Sequence, residues 1–311
     1  RGGPGGHPPL IPPMRCILVA AAMVAAPLTA QSPVPLPALR PPSWSRAAIP
    51  LQDRRIPESS GVVASRTQPG VLWTFNDSGN PPDIFATDTA GRALGRWRVL
   101  GAEDRDWEAM TSGPGPCRGG QCLYIGEIGD NDSRYPAIVL YRLDEPVVSG
   151  RDDSIHYTAK LVFRYPDGAH DAESLIVDPA GDAYVITKPR VRRAEVFRIP
   201  AAAWGRRDTV TAELTDSLDL DPRAGVEMWI TDASLAPDGH TVALRTYSYL
   251  YLYRLTPDGH LVPIAPAPRC SLTGLGPQGE GVAWLGPDTF VLTSEKFMMF
   301  PASVAVIRCP G

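Results

Sequence analysis

The hydrophobic pattern of the chain repeats in five segments of similar layout. In each segment an acidic residue precedes a short apolar run, a turn of Pro, Gly or Asp follows, and a stronger apolar run ends in polar residues. Short apolar runs bounded by turn residues are typical of β-strands. The five segments start 50, 65, 59 and 48 residues apart, at Glu58, Glu108, Glu173, Asp232 and Glu280.

Each segment continues with further strand-like runs. Alternating apolar residues with an Arg near the end recur in AIVLYRLDEP, AEVFRIP, YLYLYRL and SVAVIRCP. A fourth, outer run follows the first four segments, and the fifth lacks one because the sequence given stops at Gly311. Residues 47–57 supply an equivalent run at the other end of the chain. The pattern therefore predicts five four-stranded units, the last completed by an N-terminal strand.

This arrangement predicts an all-β fold, a β-propeller of five four-stranded blades, with six possible, formed by residues 47–311 as a single domain. A ring of blades leaves few strand edges exposed, and joining both termini in one blade closes the ring. A β-sandwich with Gly and Pro turns is the alternative. A sandwich does not require five acidic residues in register, so the repeat favours the propeller.

The N-terminal part has a different composition. Residues 1–13 precede a Met and are predicted to be a non-native or upstream segment. Residues 14–30 have the layout of a signal peptide, with one basic residue, an apolar stretch and a small residue at the expected cleavage site. Residues 31–46 form a Pro-rich lead-in. These features predict an exported protein, periplasmic or secreted, with no membrane span in the mature chain.

Composition narrows the function classes. The 34 Pro and 29 Gly among 311 residues argue against long helices. Lys and Arg number 30 against 34 Asp and Glu, a formal net charge of −4 without a long block of one sign. This balance argues against a nucleic-acid partner.

The cysteines indicate disulfides. Without Cys16 of the signal peptide, four remain, an even number for an oxidising compartment. Cys117 and Cys122 enclose Arg-Gly-Gly-Gln, a good hairpin tip, so we predict that they pair, and Cys270 and Cys309 then pair by elimination. Zinc is the alternative, but the sequence has one close pair of cysteines and no neighbouring His.

In a propeller, the starts of the first strands and the ends of the second strands meet at one mouth of the central channel. The five acidic residues are therefore predicted metal ligands: Glu58, Glu108, Glu173, Asp232 and Glu280. Polar residues near the second-strand ends are predicted to bind a ligand: Asp77, Asp130, Asn131, Lys188, Arg245, Tyr247 and Lys296.

Carboxylates that face one another across a narrow channel repel. At ~8 Å and an effective dielectric constant near 20, each pair costs roughly 2 kcal/mol. Protonation, pairing with Lys188, Arg245 or Lys296, or a bound cation would offset this repulsion. Calcium suits a shell of carboxylate and amide oxygens. The alternative is a structural role, in which each carboxylate accepts hydrogen bonds from the backbone of a neighbouring blade.

Several stretches resemble known propeller families. Glu58-Ser-Ser-Gly-Val-Val-Ala and Leu123-Tyr-Ile-Gly-Glu-Ile-Gly-Asp-Asn resemble exported bacterial propellers of the SdiA-regulated type, and Asp232-Ala-Ser-Leu-Ala-Pro-Asp-Gly-His is similar to a TolB-type repeat. Glu280-Gly-Val-Ala-Trp resembles the Glu-Gly-x-x-Trp of gluconolactonase-like propellers, and phytase-like esterases have similar strand starts. The gluconolactonase resemblance implies that Glu280 is a metal ligand. That family, however, has six blades and uses Asn and Asp from particular blades.

Three functions follow from these features. The first is an exported, monomeric propeller that binds a divalent cation, calcium being the candidate, together with a polar small molecule or protein, without catalysis. The second is a metal-assisted hydrolase of esters, lactones or phosphoesters, with Glu173, His170 and Glu295 as candidate catalytic residues. The third is a glycosidase that places two carboxylates across a sugar.

Overall fold

A computed structural model describes residues 2–3, 44–45, 48–188, 193–220, 225, 228–265 and 268–309. The chain divides into two compact units, residues 1–36 and 37–311, and every strand below belongs to the second. The predicted signal peptide lies outside the described residues, as do nearly all of residues 1–13 and of the Pro-rich lead-in.

Within this described part, the secondary structure consists of β-strands and short 3₁₀ segments. The first strands along the chain are β1 (Trp44–Ser45), β2 (Ile49–Pro50), β3 (Ser59–Ala64), β4 (Leu72–Asn76), β5 (Asp83–Thr87), β6 (Ala93–Leu100), β7 (Trp107–Pro114), β8 (Gln121–Glu127), β9 (Ile138–Asp144) and β10 (Asp153–Arg164). The 3₁₀ segments include Arg118–Gly120 and Ala201–Ala203.

The remaining strands continue the same alternation of buried strands and turns. They are β11 (Ala172–Val177), β12 (Ala183–Thr187), β13 (Ala194–Ile199), β14 (Val210–Thr211), β15 (Glu213–Leu218), β16 (Ile230–Leu235), β17 (Thr241–Thr246), β18 (Tyr249–Leu255), β19 (Leu261–Pro263), β20 (Cys270–Ser271), β21 (Gly279–Gly286), β22 (Thr289–Ser294) and β23 (Ser303–Arg308).

The strands pair mainly as antiparallel meanders. The orders are β3-β4-β5-β6, β7-β8-β9-β10, β11-β12-β13-β15 and β16-β17-β18-β19, and a last group of β21-β22-β23 is completed by β1 and β2, which both pair with β23. The first two groups are joined into one sheet by parallel pairing of β6 with β10. The predicted pairing of the N-terminal segment with the last strand of the chain is thus present, with Ile49 opposite Val304.

The first strands of the five groups form a closed ring. β3 contacts β7, β7 contacts β11, β11 contacts β16, β16 contacts β21, and β21 contacts β3. Five hydrophobic clusters fill the spaces between neighbouring groups and close the same circle. In one of them the rings of Phe75 and Trp107 meet edge to face, with centroids 5.9 Å apart. The all-β, propeller-like arrangement predicted from the sequence is confirmed.

Both predicted disulfides are present. Cys117 and Cys122 pair across the hairpin tip between β7 and β8, with Cα atoms 5.3 Å apart. Cys270 and Cys309 pair with Cα atoms 6.0 Å apart. Backbone hydrogen bonds from Ile264 to Leu252 and from Arg269 to Leu250 run along β18, and Cys270 lies opposite Leu250. Two disulfides indicate an oxidising environment. Among the described residues, no helix has the length and apolar character needed to span a membrane.

Candidate functional site: an acidic cluster at one mouth of the ring

A β-bulge near the start of each first strand determines which side chains occupy equivalent positions. Where the first strand of a group pairs with the second, the register skips Glu108 in β7 and Glu173 in β11. The equivalent register shift in β21 contains Glu280. In β3 and β16 the shifts contain Ser60 and Thr231. Three acidic residues therefore occupy equivalent positions, with hydroxyl residues at the other two.

The remaining two predicted ring acids lie outside this register. Glu58 precedes β3, and its Oε2 accepts a hydrogen bond of 2.7 Å from Asn80 Nδ2. Asp232 follows the bulge of β16 and is fully buried, and its two carboxylate oxygens accept 2.8 Å hydrogen bonds from the backbone N–H groups of Ala233 and Val282. Asp232 thus joins β16 to β21. The five acids are therefore not equivalent in register, because Glu58 lies two residues before the bulge position of its strand and Asp232 one residue after it. The predicted metal-binding role of these two residues stays a prediction.

Three carboxylates from two neighbouring strand groups, that of Glu108 among them, converge at the mouth of the ring. One ligand oxygen each of Asp77, Asp106 and Glu108 lie within 4.8 Å of one another, and Asp106 and Glu108 are buried. The loop at Gly129 packs directly on them, since a Cβ there would lie 2.5 Å from Asp106 Oδ2. Ser60 Oγ donates a hydrogen bond of 3.1 Å to Glu108 Oε2.

Burial makes the charged form of these carboxyl groups costly. Desolvation, followed by repulsion from Asp77, raises the pKa of Asp106 to about 6. Complete burial, then the charge of Glu173, raises the pKa of Glu108 well above its usual value. Desolvation also raises the pKa of Asp77, and Glu58 adds to the effect. These three carboxyl groups are therefore stabilised either by protonation or by a bound cation.

Glu173 forms an ion pair with Lys188. Lys188 Nζ lies 2.5 Å from Glu173 Oε1, and the side chains are 11% and 2% exposed. Lys188 Nζ also lies 5.8 Å from the ring centre of Trp229. Burial raises the pKa of Glu173 to about 8, although Lys188 opposes this shift. Burial disfavours the charge on Lys188, but Glu173 and other nearby acidic groups outweigh this effect and raise the lysine pKa.

Glu280 and Glu295 complete the acidic side of the mouth. Burial raises the pKa of Glu280 to about 7 and that of Glu295 to about 9, and the charge of Glu280 contributes to the shift of Glu295. Burial and then the charge of Glu280 raise the pKa of the Tyr247 hydroxyl. Gln278 donates a hydrogen bond to Glu295 Oε2. We call Asp77, Asp106, Glu108, Glu173, Glu280 and Glu295 the acidic cluster.

Arg245 supports the cluster from within the ring. Its fully buried guanidinium donates hydrogen bonds of 2.5 and 2.8 Å from Nη1 to the carbonyl oxygens of Gly281 and Thr293. Burial lowers the arginine pKa to about 10, although Glu280 and Asp232 oppose that shift. Arg245 therefore ties β17 to β21 and β22.

Other predicted ligand-binding residues have different surroundings. The carboxylate of Asp130 accepts backbone hydrogen bonds of 2.8 and 2.7 Å from Arg134 and Tyr135, which hold its loop. Asn131 and Lys296 are exposed. These contacts give Asp130 a structural role and leave the predicted binding roles of Asn131 and Lys296 as predictions.

His170 belongs to a separate group. Its Nε2 lies 2.9 Å from Asp167 Oδ1 and its Nδ1 lies 3.5 Å from Glu195 Oε2. Its ring packs against Tyr165 and Phe197. None of these partners belongs to the acidic cluster, so the structure does not place His170 beside Glu173 or Glu295.

Asp104 and Asp106 were not among the ligands predicted from the sequence. Burial, then the charge of Asp77, raises the pKa of Asp106, as noted above, and burial raises the pKa of Asp104 to about 8. The spacing Asp106-x-Glu108 was the available signal, because alternate residues of an extended chain share a face.

No sequence-family model matches the chain, and no curated protein matches its sequence. The fold is similar to a PQQ-bound aldose sugar dehydrogenase from Streptomyces coelicolor, at 13% identity and a TM-score of 0.47, covering 86% of this chain and 99% of that one. The calcium-binding protein regucalcin from Agrobacterium tumefaciens has 13% identity and a TM-score of 0.39, and the match covers 85% of this chain and 95% of that one. A gluconolactonase from Xanthomonas campestris has 13% sequence identity and a TM-score of 0.40, and the match covers 89% of this chain and 99% of that one. At TM-scores below 0.5, these likenesses carry no inference about activity or ligand.

Proposed function

We propose that this chain binds a divalent cation at Asp77, Asp106 and Glu108 and, beside it, a polar small molecule or protein. The observation that carries this proposal is the convergence of three carboxylate oxygens within 4.8 Å. Calcium–oxygen distances are about 2.3–2.6 Å, so two ligands on opposite sides of one ion are about 4.8 Å apart. The three oxygens thus fit around a single calcium ion.

The charge balance supports a cation at these three residues. Glu173 has Lys188 as an ion-pair partner, whereas within the described ranges no Lys, Arg or His nitrogen lies within 4.0 Å of the carboxylates of Asp77, Asp106 or Glu108. Buried anions without a counter-charge are costly. A bound dication supplies that counter-charge without protonation.

The polar ligand is proposed to contact the rest of the mouth. Lys188 supplies a positive charge, Tyr247 a hydroxyl group, and Glu280 and Glu295 carboxyl groups, all within mutual electrostatic range. A ligand with hydroxyl or carboxylate groups matches this set of donors and acceptors.

We further propose that the chain forms a five-bladed propeller, closed by its N-terminal strand, and that it is exported as a monomer. The ring of five first strands and the pairing of β1 and β2 with β23 support the number of blades and the closure. The two disulfides support export.

A metal-assisted hydrolase is the second candidate, favoured by one specific observation. The pKa of Glu280 is raised to about 7 by burial, and that of Glu173 to about 8. Carboxyl groups in this range can donate or accept a proton near neutral pH. In this role the ion would polarise an ester or phosphoester, and Glu280 or Glu173 would exchange a proton with water. No comparable observation favours a glycosidase.

Terbium luminescence tests cation binding directly. Tb³⁺ replaces Ca²⁺ at oxygen sites, and Trp107, the residue before Glu108, is placed to sensitise it. We expect excitation of tryptophan to produce Tb³⁺ emission that Ca²⁺ displaces, and Glu108→Gln to abolish it. Asp219→Asn, which removes an exposed carboxylate paired with Arg193, is the matched control and should retain the signal.

Turnover distinguishes the second candidate from the first. Aryl esters, lactones and phosphomonoesters are assayed with Ca²⁺ for the wild type and Glu280→Gln. Turnover that Glu280→Gln removes without a loss of stability supports the hydrolase. A wild type that binds Tb³⁺ but turns over none of these substrates supports binding alone.

A further inference from the structure

A large cavity lies at the opposite end of the ring from the acidic cluster. It has a volume of about 870 Å³ and is lined by the far ends of first strands and the turns that follow them, including Val63, Leu235 and Leu285. Cavities of about 300–1,000 Å³ are the usual size of small-molecule sites. The cavity is therefore large enough for a small organic ligand.

The wall of this cavity is mainly apolar and held in place. Trp284 lines it, and its Nε1 donates a hydrogen bond of 2.9 Å to the carbonyl oxygen of Ser234. The Trp284 ring packs against Phe290 with centroids 4.5 Å apart. Leu72 and Ala283 add buried apolar surface. This wall favours the apolar body of a ligand.

One positively charged side chain, that of Arg66, lies at the edge of the cavity. Arg66 lines it and donates a hydrogen bond of 3.3 Å from Nη2 to the carbonyl oxygen of Leu235. Among the residues that the structure describes, no carboxylate lies within 4.0 Å of its guanidinium. Surrounding atoms desolvate the guanidinium and lower the pKa of Arg66 although the residue as a whole remains exposed, and an anion at this place gains a charge-assisted contact.

The acidic residue in the cavity wall is already satisfied. Asp238 accepts hydrogen bonds from the Thr241 hydroxyl at 2.6 Å and from the backbone N–H groups of His240 and Thr241. These bonds lower the pKa of Asp238 and fix its carboxylate within its own turn. The guanidinium of Arg66 is left available for a ligand.

We propose that this cavity binds an amphiphilic anion, a molecule with an apolar body and one carboxylate that Arg66 holds. The apolar body packs against Trp284 and the neighbouring aliphatic side chains, and the carboxylate accepts hydrogen bonds from the guanidinium. The site is separate from the acidic cluster and needs no metal ion.

Calorimetry with three eight-carbon probes tests this proposal. Octanoate, octanamide and octylammonium share an apolar chain but carry a negative, a neutral and a positive head group. Octanoate should bind most tightly, and Arg66→Gln should weaken its binding about tenfold or more while octanamide is unaffected. Arg254→Gln is the matched control, since this exposed arginine lies opposite Thr241 in β18 and outside the cavity wall.

Three results would overturn the proposal: no octanoate binding to the wild type, equal affinity for octanoate and octanamide, or an Arg66→Gln variant that binds octanoate as the wild type does. The titrations are run in EDTA and in Ca²⁺. If the octanoate affinity is the same in EDTA and in Ca²⁺, this site is independent of the proposed cation site. The two proposals can then be rejected separately. Because Arg66 is exposed, Arg66→Gln should fold normally, which a melting curve verifies.

Discussion

Lys188 Nζ lies 2.5 Å from Glu173 Oε1 at a depth where the glutamate side chain is only 2% exposed. Removing one partner of such a pair leaves an uncompensated buried group. Lys188 follows β12 and Glu173 lies in the bulge of β11, so the ion pair joins two strands of one sheet at the mouth of the ring.

Lys188→Met is expected to destabilise the protein by about 3 kcal/mol, because Glu173 then lacks a counter-ion. Urea unfolding at pH 9, above the Glu173 pKa of about 8, measures this loss. The double variant Lys188→Met, Glu173→Gln should recover much of it. If the single variant is as stable as the wild type, the pair does not contribute as described.

Stability without metal is expected to fall as pH rises. The carboxyl groups of Asp106, Glu280, Glu173 and Glu295 have folded-state pKa values of about 6, 7, 8 and 9, above ordinary values of 3.8 or 4.5. Between these limits the folded state binds more protons than the unfolded state, so each group's contribution decreases as pH rises toward its folded pKa. Melting midpoints in EDTA should therefore decrease from pH 5 to pH 9.

Calcium should change this pH profile. Because the ion binds deprotonated carboxylates, its stabilising effect should grow as pH rises through the pKa of Asp106, about 6. Melting curves from pH 5 to pH 9, with and without Ca²⁺, measure the difference. A calcium effect that is the same at every pH would contradict a site built from these carboxylates.

The close approach of β21 to Arg245 makes Gly279 intolerant of a side chain. A Cβ at Gly279 would lie 1.9 Å from Arg245 Nη2, whereas one at Gly286, at the other end of the strand, would meet Thr289 at 3.7 Å. Gly279→Ala should therefore cost about 2 kcal/mol and Gly286→Ala little. Chemical unfolding of both variants checks this, and equal stability would show that Arg245 moves aside freely.

The two disulfides are expected to contribute unequally. Their cysteines are 5 and 39 residues apart, and a cross-link that closes a longer loop restricts the unfolded chain more. Replacing Cys270 and Cys309 by Ala should cost about 4 kcal/mol, against about 2 kcal/mol for Cys117 and Cys122. Unfolding of the two double variants tests the order, and the reverse order would indicate that native contacts dominate.

Hydrophobic periodicity predicted the strands and their grouping because each strand carries its own alternation. The pairing of residues 47–57 with the last strand, and of Cys270 with Cys309, also followed from the sequence. These features depend on local pattern and on counting, which one sequence supplies.

The site was less predictable, because it depends on details that the repeat does not encode. Glu108, Glu173 and Glu280 stand at the bulge position of their strands, whereas Ser60 and Thr231 occupy that position in the strands next to Glu58 and Asp232. His170, which directly precedes Asp171 and lies three residues before Glu173 in the chain, faces Asp167 and Glu195 instead. Grouping Asp77 with Asp106 required knowledge of how neighbouring sheets pack.

Calcium binding by Asp77, Asp106 and Glu108 is tested most directly by the melting midpoint at pH 8, in EDTA and then in excess Ca²⁺, for the wild type and Glu108→Gln. A ligand at one hundred times its dissociation constant stabilises by about 2.7 kcal/mol, which raises the midpoint of a domain of this size by about 5 °C or more. We expect this rise in the wild type and its absence in Glu108→Gln. A wild-type midpoint that Ca²⁺ leaves unchanged would contradict the proposed cation site.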